Sequence, residues 1–284
     1  MAVWITAEDM IEQKAYTLIC EIYQPVVKQL SSNRKSSWQI HMNSLIEKGK
    51  IKKPREHDEK GSIEIDYEMR FLDENAARDV FFLQESIIRS LRESEIFKGH
   101  DEDYLEQLFL LERSAIGVLT NDGLIAYNLI HIPSDDEDNL GTDLKFSESE
   151  LKRVIHLQAS AVHPAYRGNA LQTRMIKTHL AVIRSQGFEH VCCTVSPKNP
   201  VSLRNVLAEG FQIRALKPKF NGWWRFIMHN NIFHPATFCG EEIKINGSDI
   251  HGQLSLLDRG FSGFEIDHLP DGYEICYRRN CTSL

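Results

Sequence analysis

The chain has 284 residues and is 42% hydrophobic by composition, enough to bury one generous core and carry extensions. A net charge of −7 without a long basic face argues against a nucleic-acid backbone or an anionic membrane as partner. No apolar run approaches the ~20 residues that span a bilayer, and Met1-Ala2-Val3-Trp4 does not open a signal peptide.

Six cysteines occur with neither a C-x-x-C pair nor zinc-type histidine spacing, so free thiols, no metal and a cytoplasmic location are expected. No internal repeat is evident. Thr6 and Asp9 read as a capped helix start, with Met10, Ala15, Leu18, Ile19 and Ile22 as its apolar stripe and an end near Pro25. Ser36 to Lys48 predicts a second helix, with Trp38, Met42, Leu45 and Ile46 on one side. Lys48 to Gly61, KGKIKKPREHDEKG, is nearly free of apolar residues and reads as a solvated linker, the alternative being a site for an acidic partner. Residues 1–61 are thus expected to be a helical extension with a charged linker.

Ser62 to Phe71 alternates apolar and polar residues as a half-buried strand does. Asp73-Glu74-Asn75 then caps a helix to about Leu91, and Asp101 to Leu111 gives a shorter one. Ala115 to Leu119 and Leu124 to Ile132 form a hairpin around Asn121-Asp122-Gly123. Pro133 to Glu150 is long and acidic: a mobile surface loop, or a lid that attracts cationic acceptors such as lysine side chains or polyamines.

Val154 to Ile183 reads as strand, Pro/Gly-punctuated loop and helix, with Leu171, Met175, Ile176, Leu180 and Ile183 on the helix's apolar side. The loop, Ala165 to Ala170, lacks bulk where successive amides approach a helix start, a concavity suited to phosphate oxygens. V-x-P-x-Y-R-G-x-A-L, as Val162, Pro164, Tyr166, Arg167, Gly168, Ala170 and Leu171, resembles the acetyl-CoA pyrophosphate-binding motif of the GNAT superfamily of N-acetyltransferases. Gly168 and Ala170 meet the pattern Gln/Arg-x-x-Gly-x-Gly/Ala; Ala165 departs from it, leaving Arg167 as the loop's only side-chain cation. Downstream, the strand His190 to Val195, then Asn199, Ser202 and Gly210-Phe211, is similar to the strand, Asn-capped helix and turn that flank the pantetheine arm in that family.

The resemblance implies an α/β (α+β) fold over residues 62–230: a mixed, mostly antiparallel sheet flanked by helices. It also implies direct transfer of an acetyl group from acetyl-CoA to a primary amine. Cofactor contacts would come from Ala161, Val162, Tyr166, Arg167, Gly168, Asn169, Ala170, Leu171, Asn199 and Ser202, with a backbone oxyanion donor near Val162. The family's strand glutamate is missing, and His156 is the one titratable side chain on the polar face of Val154 to Val162, which alternation makes His156, Gln158 and Ser160. His156 is therefore the candidate base, or the anchor of a water chain; Glu150 and Glu148 are remoter. Val206 stands where the family often has a tyrosine acid. These two departures keep open the alternative of a catalytically inactive acyl-CoA-binding or sensory module.

Beyond Phe211, Gln212 to Leu216 and Trp223 to Met228 read as strands. Trp223 and Trp224 either divide between core and rim or wall an acceptor pocket. Residues 231–284 read as a β extension, with strands at Glu242 to Ile245, Gly252 to Leu257, Phe264 to His268 and Tyr273 to Arg278. Sheet extension, cover for the acceptor side and homodimer contact are the roles open to it.

Overall fold

A computed structural model describes residues 45–55, 58–134 and 139–281. The helix read after Thr6, and most of the one read from Ser36, lie outside these residues. The described strands form one eleven-stranded sheet ordered β1-β2-β3-β4-β5-β6-β8-β7-β10-β11-β9. Its pairings are antiparallel except β5 with β6. This is the GNAT-type mixed sheet with extra C-terminal strands.

The charged run is not a linker. Leu45–Arg55 (β1) and Asp58–Phe71 (β2) are paired strands, so residues 45–48, read as the end of a helix, are extended as well. Register supplies the reason: Lys48 lies opposite Glu68, Lys50 opposite Asp66 and Lys52 opposite Glu64, so charges that look solvated in sequence find opposite charges across the ladder. Ile51, Tyr67 and Met69 fill the core side, and Gly49 leaves room for the Tyr67 ring.

Ala77–Ser90 (α1) and Glu102–Leu108 (α2) follow, the latter capped by Asp101 Oδ1, which accepts the Tyr104 N–H at 2.8 Å. Ala115–Thr120 (β3) and Gly123–His131 (β4) form the expected hairpin. Part of the acidic segment, residues 135–138, lies outside the described residues. Its described part holds two short helices, Leu140–Asp143 (α3) and Glu148–Leu151 (α4), with Leu140 packed against Val154, Cys192 and Ile227.

Val154–Val162 (β5), Leu171–Gln186 (α5), His190–Val195 (β6) and Pro200–Ala208 (α6) agree with the sequence reading. Buried Leu171, Met175, Ile176, His179, Val182 and Ile183 recur at helical spacing along α5. α5 and α6 pack on the face bearing Ile155, Leu157, Val191 and Cys193. α1 and α2 pack on the other face, against Tyr127, Leu129, Ala159 and Ala161.

Gln212–Lys219 (β7) and Trp223–Asn231 (β8) lead into Phe238–Asn246 (β9), Phe261–Leu269 (β10) and Gly272–Asn280 (β11). Of the roles open to the tail, sheet extension is the one seen, and the expected boundary at residue 230 falls inside β8. Gly252 to Leu257 is helical, as part of Ile250–Asp258 (α7), and not a strand. The Leu254-Ser255-Leu256 alternation imitates a strand, but Asp249 Oδ1 accepts the Gly252 N–H at 2.8 Å, and Gln253 and Leu256 are buried three apart.

The structure also contains a repeat that the sequence conceals. β6, α6, β7 and β8 form a strand–helix–hairpin unit, and β9, α7, β10 and β11 form another. Each helix has nine residues, each is capped by a side chain accepting the amide three residues on (Asn199 from Ser202, Asp249 from Gly252), and each is followed by a Gly-Phe pair with a left-handed glycine. Strand order β6-β8-β7 in the first unit mirrors β9-β11-β10 in the second, and the two meet where Ile213 faces Gly263. A Cβ at Gly263 would lie 2.8 Å from Ile213 Cδ1 and 3.0 Å from Ile275 Cγ2, so a side chain there would crowd the junction.

Candidate active site

β5 and β6 pair at only three positions: Val154 with His190, Ile155 with Val191 and His156 with Cys192. Beyond these the strands part, and backbone groups on their facing edges lose their ladder partners. A cavity of about 350 Å³ occupies the gap, lined on one strand by Leu157 to Ser160 and on the other by Cys193 to Ser196.

The strict alternation expected along β5 fails at Gln158. Leu157 faces Ile130 and Ala159 faces Leu129, so Gln158 is an extra residue, a β-bulge. His156 therefore shares a side with Ala159, while Ser160 faces the α5 side with its cross-strand partner Asn128, whose Oδ1 pairs with His179 of α5. The bulge also aims Gln158 Nε2 at the Tyr104 hydroxyl, 3.0 Å away. Among the described residues, Ser160 Oγ is buried with no hydrogen-bond partner.

The loop into α5 follows a one-turn 3₁₀ helix, Pro164–Tyr166. Gly168 (φ 84°) and Ala170 (φ 54°) are both left-handed; for alanine this is local strain of about 1 kcal/mol or more. No side chain caps the helix, and its first internal bond runs from Arg174 N–H to Ala170 O at 3.1 Å. The amides of Leu171, Gln172 and Thr173 thus have no helical partner. A Cβ at Gly168 would meet nothing within 4 Å, so side chains leave the bend open there.

Several expected contact residues are used otherwise. The Tyr166 side chain is 2% exposed and its hydroxyl donates to Asp122. Asn169 Nδ2 donates to Lys52 O (2.8 Å) and Tyr166 O (3.0 Å), and its Oδ1 accepts from Lys52 N–H (2.9 Å). Arg167 Nε donates to Val162 O at 3.3 Å. These three side chains hold the bend in shape, and what the bend offers outward is backbone. Of the expected set only Asn199 and Ser202 line the cavity; Ala161, Val162 and residues 166–171 do not. Asn199 Oδ1 caps α6 through the Ser202 N–H (3.1 Å), and Ser202 Oγ accepts from Gln172 Nε2 (2.9 Å). Sequence reasoning missed Gln172.

His156 lies in the cavity wall, 5% exposed, but is not poised as a base. Its Nε2 accepts the Leu140 N–H at 3.2 Å, which puts the ring proton on Nδ1. Burial, with smaller contributions from His131 and Lys219, lowers its pKa from 6.5 to about 3. Cys193 also lines the cavity, and burial pushes its thiol up, away from nucleophilic use.

The opposite side of the cavity holds residues the sequence gave no reason to group: Lys98, His100, Tyr104, His131, Lys219 and Arg225. His100 stacks on Tyr104 at 4.8 Å, and burial lowers its pKa to about 4. Neither tryptophan walls the cavity: Trp224 is 38% exposed, and Trp223 lies under Arg225 at 5.4 Å. Asp143, from the acidic segment, is bound to Lys217 and Lys219 at 2.7 Å each. Burial raises its pKa, but the hydrogen bonds from these lysines outweigh that and lower it. That carboxylate neutralises the chain's own cations and is not displayed to a cationic acceptor.

No family model matches the chain, and no curated protein matches it. Solved structures with a related course of chain include yncA, a putative acetyltransferase from Salmonella typhimurium with acetyl-CoA, at 15% identity and TM-score 0.45 over 61% of this chain and 98% of that one. An acetyltransferase of the GNAT family from Streptococcus pneumoniae matches at 12% and 0.45, over 58% and 98% of the two chains. An N-acetyltransferase from Staphylococcus aureus Mu50 matches at 10% and 0.46, also over 58% and 98%. At such identities and scores these likenesses carry no inference about activity. Among the described residues no helix is long and apolar enough to cross a membrane.

Proposed function

We propose that the chain is an acetyl-CoA-dependent N-acetyltransferase that moves the acetyl group directly to a primary amine. The observation that carries this reading is the parting of β5 from β6 beside an uncapped helix N-terminus, which offers partnerless amides next to a gap whose lining reaches Gln172 of that helix. The amides at the start of α5 suit a pyrophosphate, and the unpaired strand edges with Ser160 Oγ suit the amide groups of a pantetheine arm. Acetyl-CoA bound there supplies an activated acetyl group.

The chain's own work is to orient the amine, exclude water and place β5 backbone donors where negative charge develops. The amine nitrogen bonds to the acetyl carbon, the carbon–sulfur bond breaks, and CoA departs as thiolate. The amine's proton is assigned to His131, which lies across the ladder from His156 and lines the gap beside Tyr104. His156, neutral and already bonded, serves as a positioning residue that ties β5 to α3.

Acetyl-CoA binding by calorimetry and CoA release over an amine panel test the reading; no binding would end it. His131→Asn is expected to lower kcat by about 100-fold or more with unchanged acetyl-CoA affinity. The sensory alternative draws on His156 being protonation-inert and on β5 lacking a carboxylate. Tight binding with no turnover of any amine would favour it.

A further inference from the structure

The acceptor side of the gap carries its own chemistry. We infer that the acceptor is a small amine that also bears an anionic group, a carboxylate or a phosphate, and that Arg225 holds that group; this rests on the acetyl-transfer reading above.

Arg225 lies on β8 next to Phe226, the cross-strand partner of Val195 on the parting strand. Alternation puts it on the β8 face of Ile227, which packs against Leu140, away from α5 and α6. It lines the cavity yet is 3% exposed. Its Nη1 donates to Trp224 O (3.0 Å) and its Nη2 to Glu95 O (2.6 Å), while Phe220 and Trp223 flank the guanidinium at 5.5 and 5.4 Å. Among the described residues it makes no ion pair with a carboxylate. Burial opposes its charge, the nearby Glu95 carboxylate, itself paired with Lys198, partly favours it, and a guanidinium stays protonated.

A buried cation whose hydrogen bonds go only to carbonyls gains from an arriving anion, and its planar fork matches carboxylate or phosphate oxygens. Lys98 and Lys219 line the same side, and no Asp or Glu lines the cavity among the described residues. Asp143 is shared by Lys217 and Lys219. A polyamine would meet Lys98, Lys219 and Arg225 there and no carboxylate in the described lining. The cavity of about 350 Å³ fits a small molecule better than a folded surface.

The test uses the full chain, acetyl-CoA and matched acceptors in a CoA-release assay: α-amino acids against their methyl esters, aminoalkyl phosphates against the parent amino alcohols, and spermidine. The expected result is a kcat/KM at least about 30-fold higher for one or both anionic classes than for their neutral partners. Whichever anionic class is preferred names the source of the charge. Arg225→Gln should raise KM for that acceptor about 30-fold with acetyl-CoA affinity unchanged, which also reports that the variant is folded. Arg225→Lys should recover part of the loss, since charge returns without the fork. Equal or better turnover of spermidine or the esters, no turnover of any anionic amine, or an unchanged KM in Arg225→Gln overturns the inference while the acetyl-CoA reading stands. Failure of wild type to bind acetyl-CoA overturns both.

Discussion

The two strand–helix–hairpin units, residues 190–231 and 238–280, share helix length, cap position and the left-handed glycine before the returning strand, yet the first borders the cavity between β5 and β6 and the second does not. What differs is the neighbour. β6 runs beside a parallel strand that leaves it after three pairs, whereas β9 is the last strand of the sheet. The same local scaffold makes a binding gap only where a second strand diverges from it. The second unit acts instead as a buttress: Tyr273 Oη donates to Pro197 O at 2.6 Å, bracing the turn that leads to Asn199.

The largest contrast expected is in acid. His156, His179 and His229 have pKa values near 3 and His100 near 4, each lowered from 6.5 mainly by burial, and all lie before residue 230. The second unit's His251 and His268 are exposed. Groups depressed in the folded state refuse protons that the unfolded chain accepts. Stability is therefore full above pH 6.5 and falls as pH drops toward 3, by up to about 2 kcal/mol per fully buried imidazole at pH 5. Urea midpoints should fall between pH 7 and pH 5, and hydrogen exchange should show β5 to β8 losing protection before β9 to β11. Simultaneous loss would mean that the units do not differ in this way.

Next come matched glycines. Gly168 (φ 84°) and Gly260 (φ 81°) both have open space where a Cβ would go, so valine imposes similar backbone strain at each. Gly168→Val should weaken acetyl-CoA binding about 100-fold, by calorimetry. Gly260→Val should cost about 2 kcal/mol in urea unfolding and leave affinity alone. Equal effects on affinity would dissolve the distinction.

The caps make a finer test. Asn199→Asp gives the first unit the second unit's carboxylate, beside the proposed path of an anionic ligand. Affinity should fall about 5-fold, while Asp249→Asn changes stability by less than about 1 kcal/mol. The smallest effect is Tyr273→Phe, which removes one hydrogen bond to the Pro197 turn and should cost about 1 kcal/mol by urea unfolding without altering affinity.

What the sequence made legible was local. The left-handed bend at Gly168, the cap at Asn199 and the hairpin at Asn121-Asp122-Gly123 are written in adjacent residues. Residues 45–61 do not read as strand because Lys48, Lys50 and Lys52 face Glu68, Asp66 and Glu64, partners distant in the chain that only register reveals, whereas the alternation of Ser62 to Phe71 is legible. One extra residue at Gln158 leaves the letters alternating while turning Ser160 to the other face. The repeat hides because its units share a cap and a Gly-Phe step and little else. Arg225 stands out only once its neighbours are seen to be rings and carbonyls.

The grip of Asn169 on Lys52 bears on where the protein can be shortened. Lys53 Nζ also reaches Asp122 at 2.8 Å, the carboxylate that receives the Tyr166 hydroxyl, so β1 fastens both ends of the bend. A chain trimmed to begin at Ser62, where composition alone would invite the cut, would lose the strand that holds those amides in line. The charged hairpin is therefore better regarded as the outer wall of the bend proposed to hold an anion than as a tether in front of it.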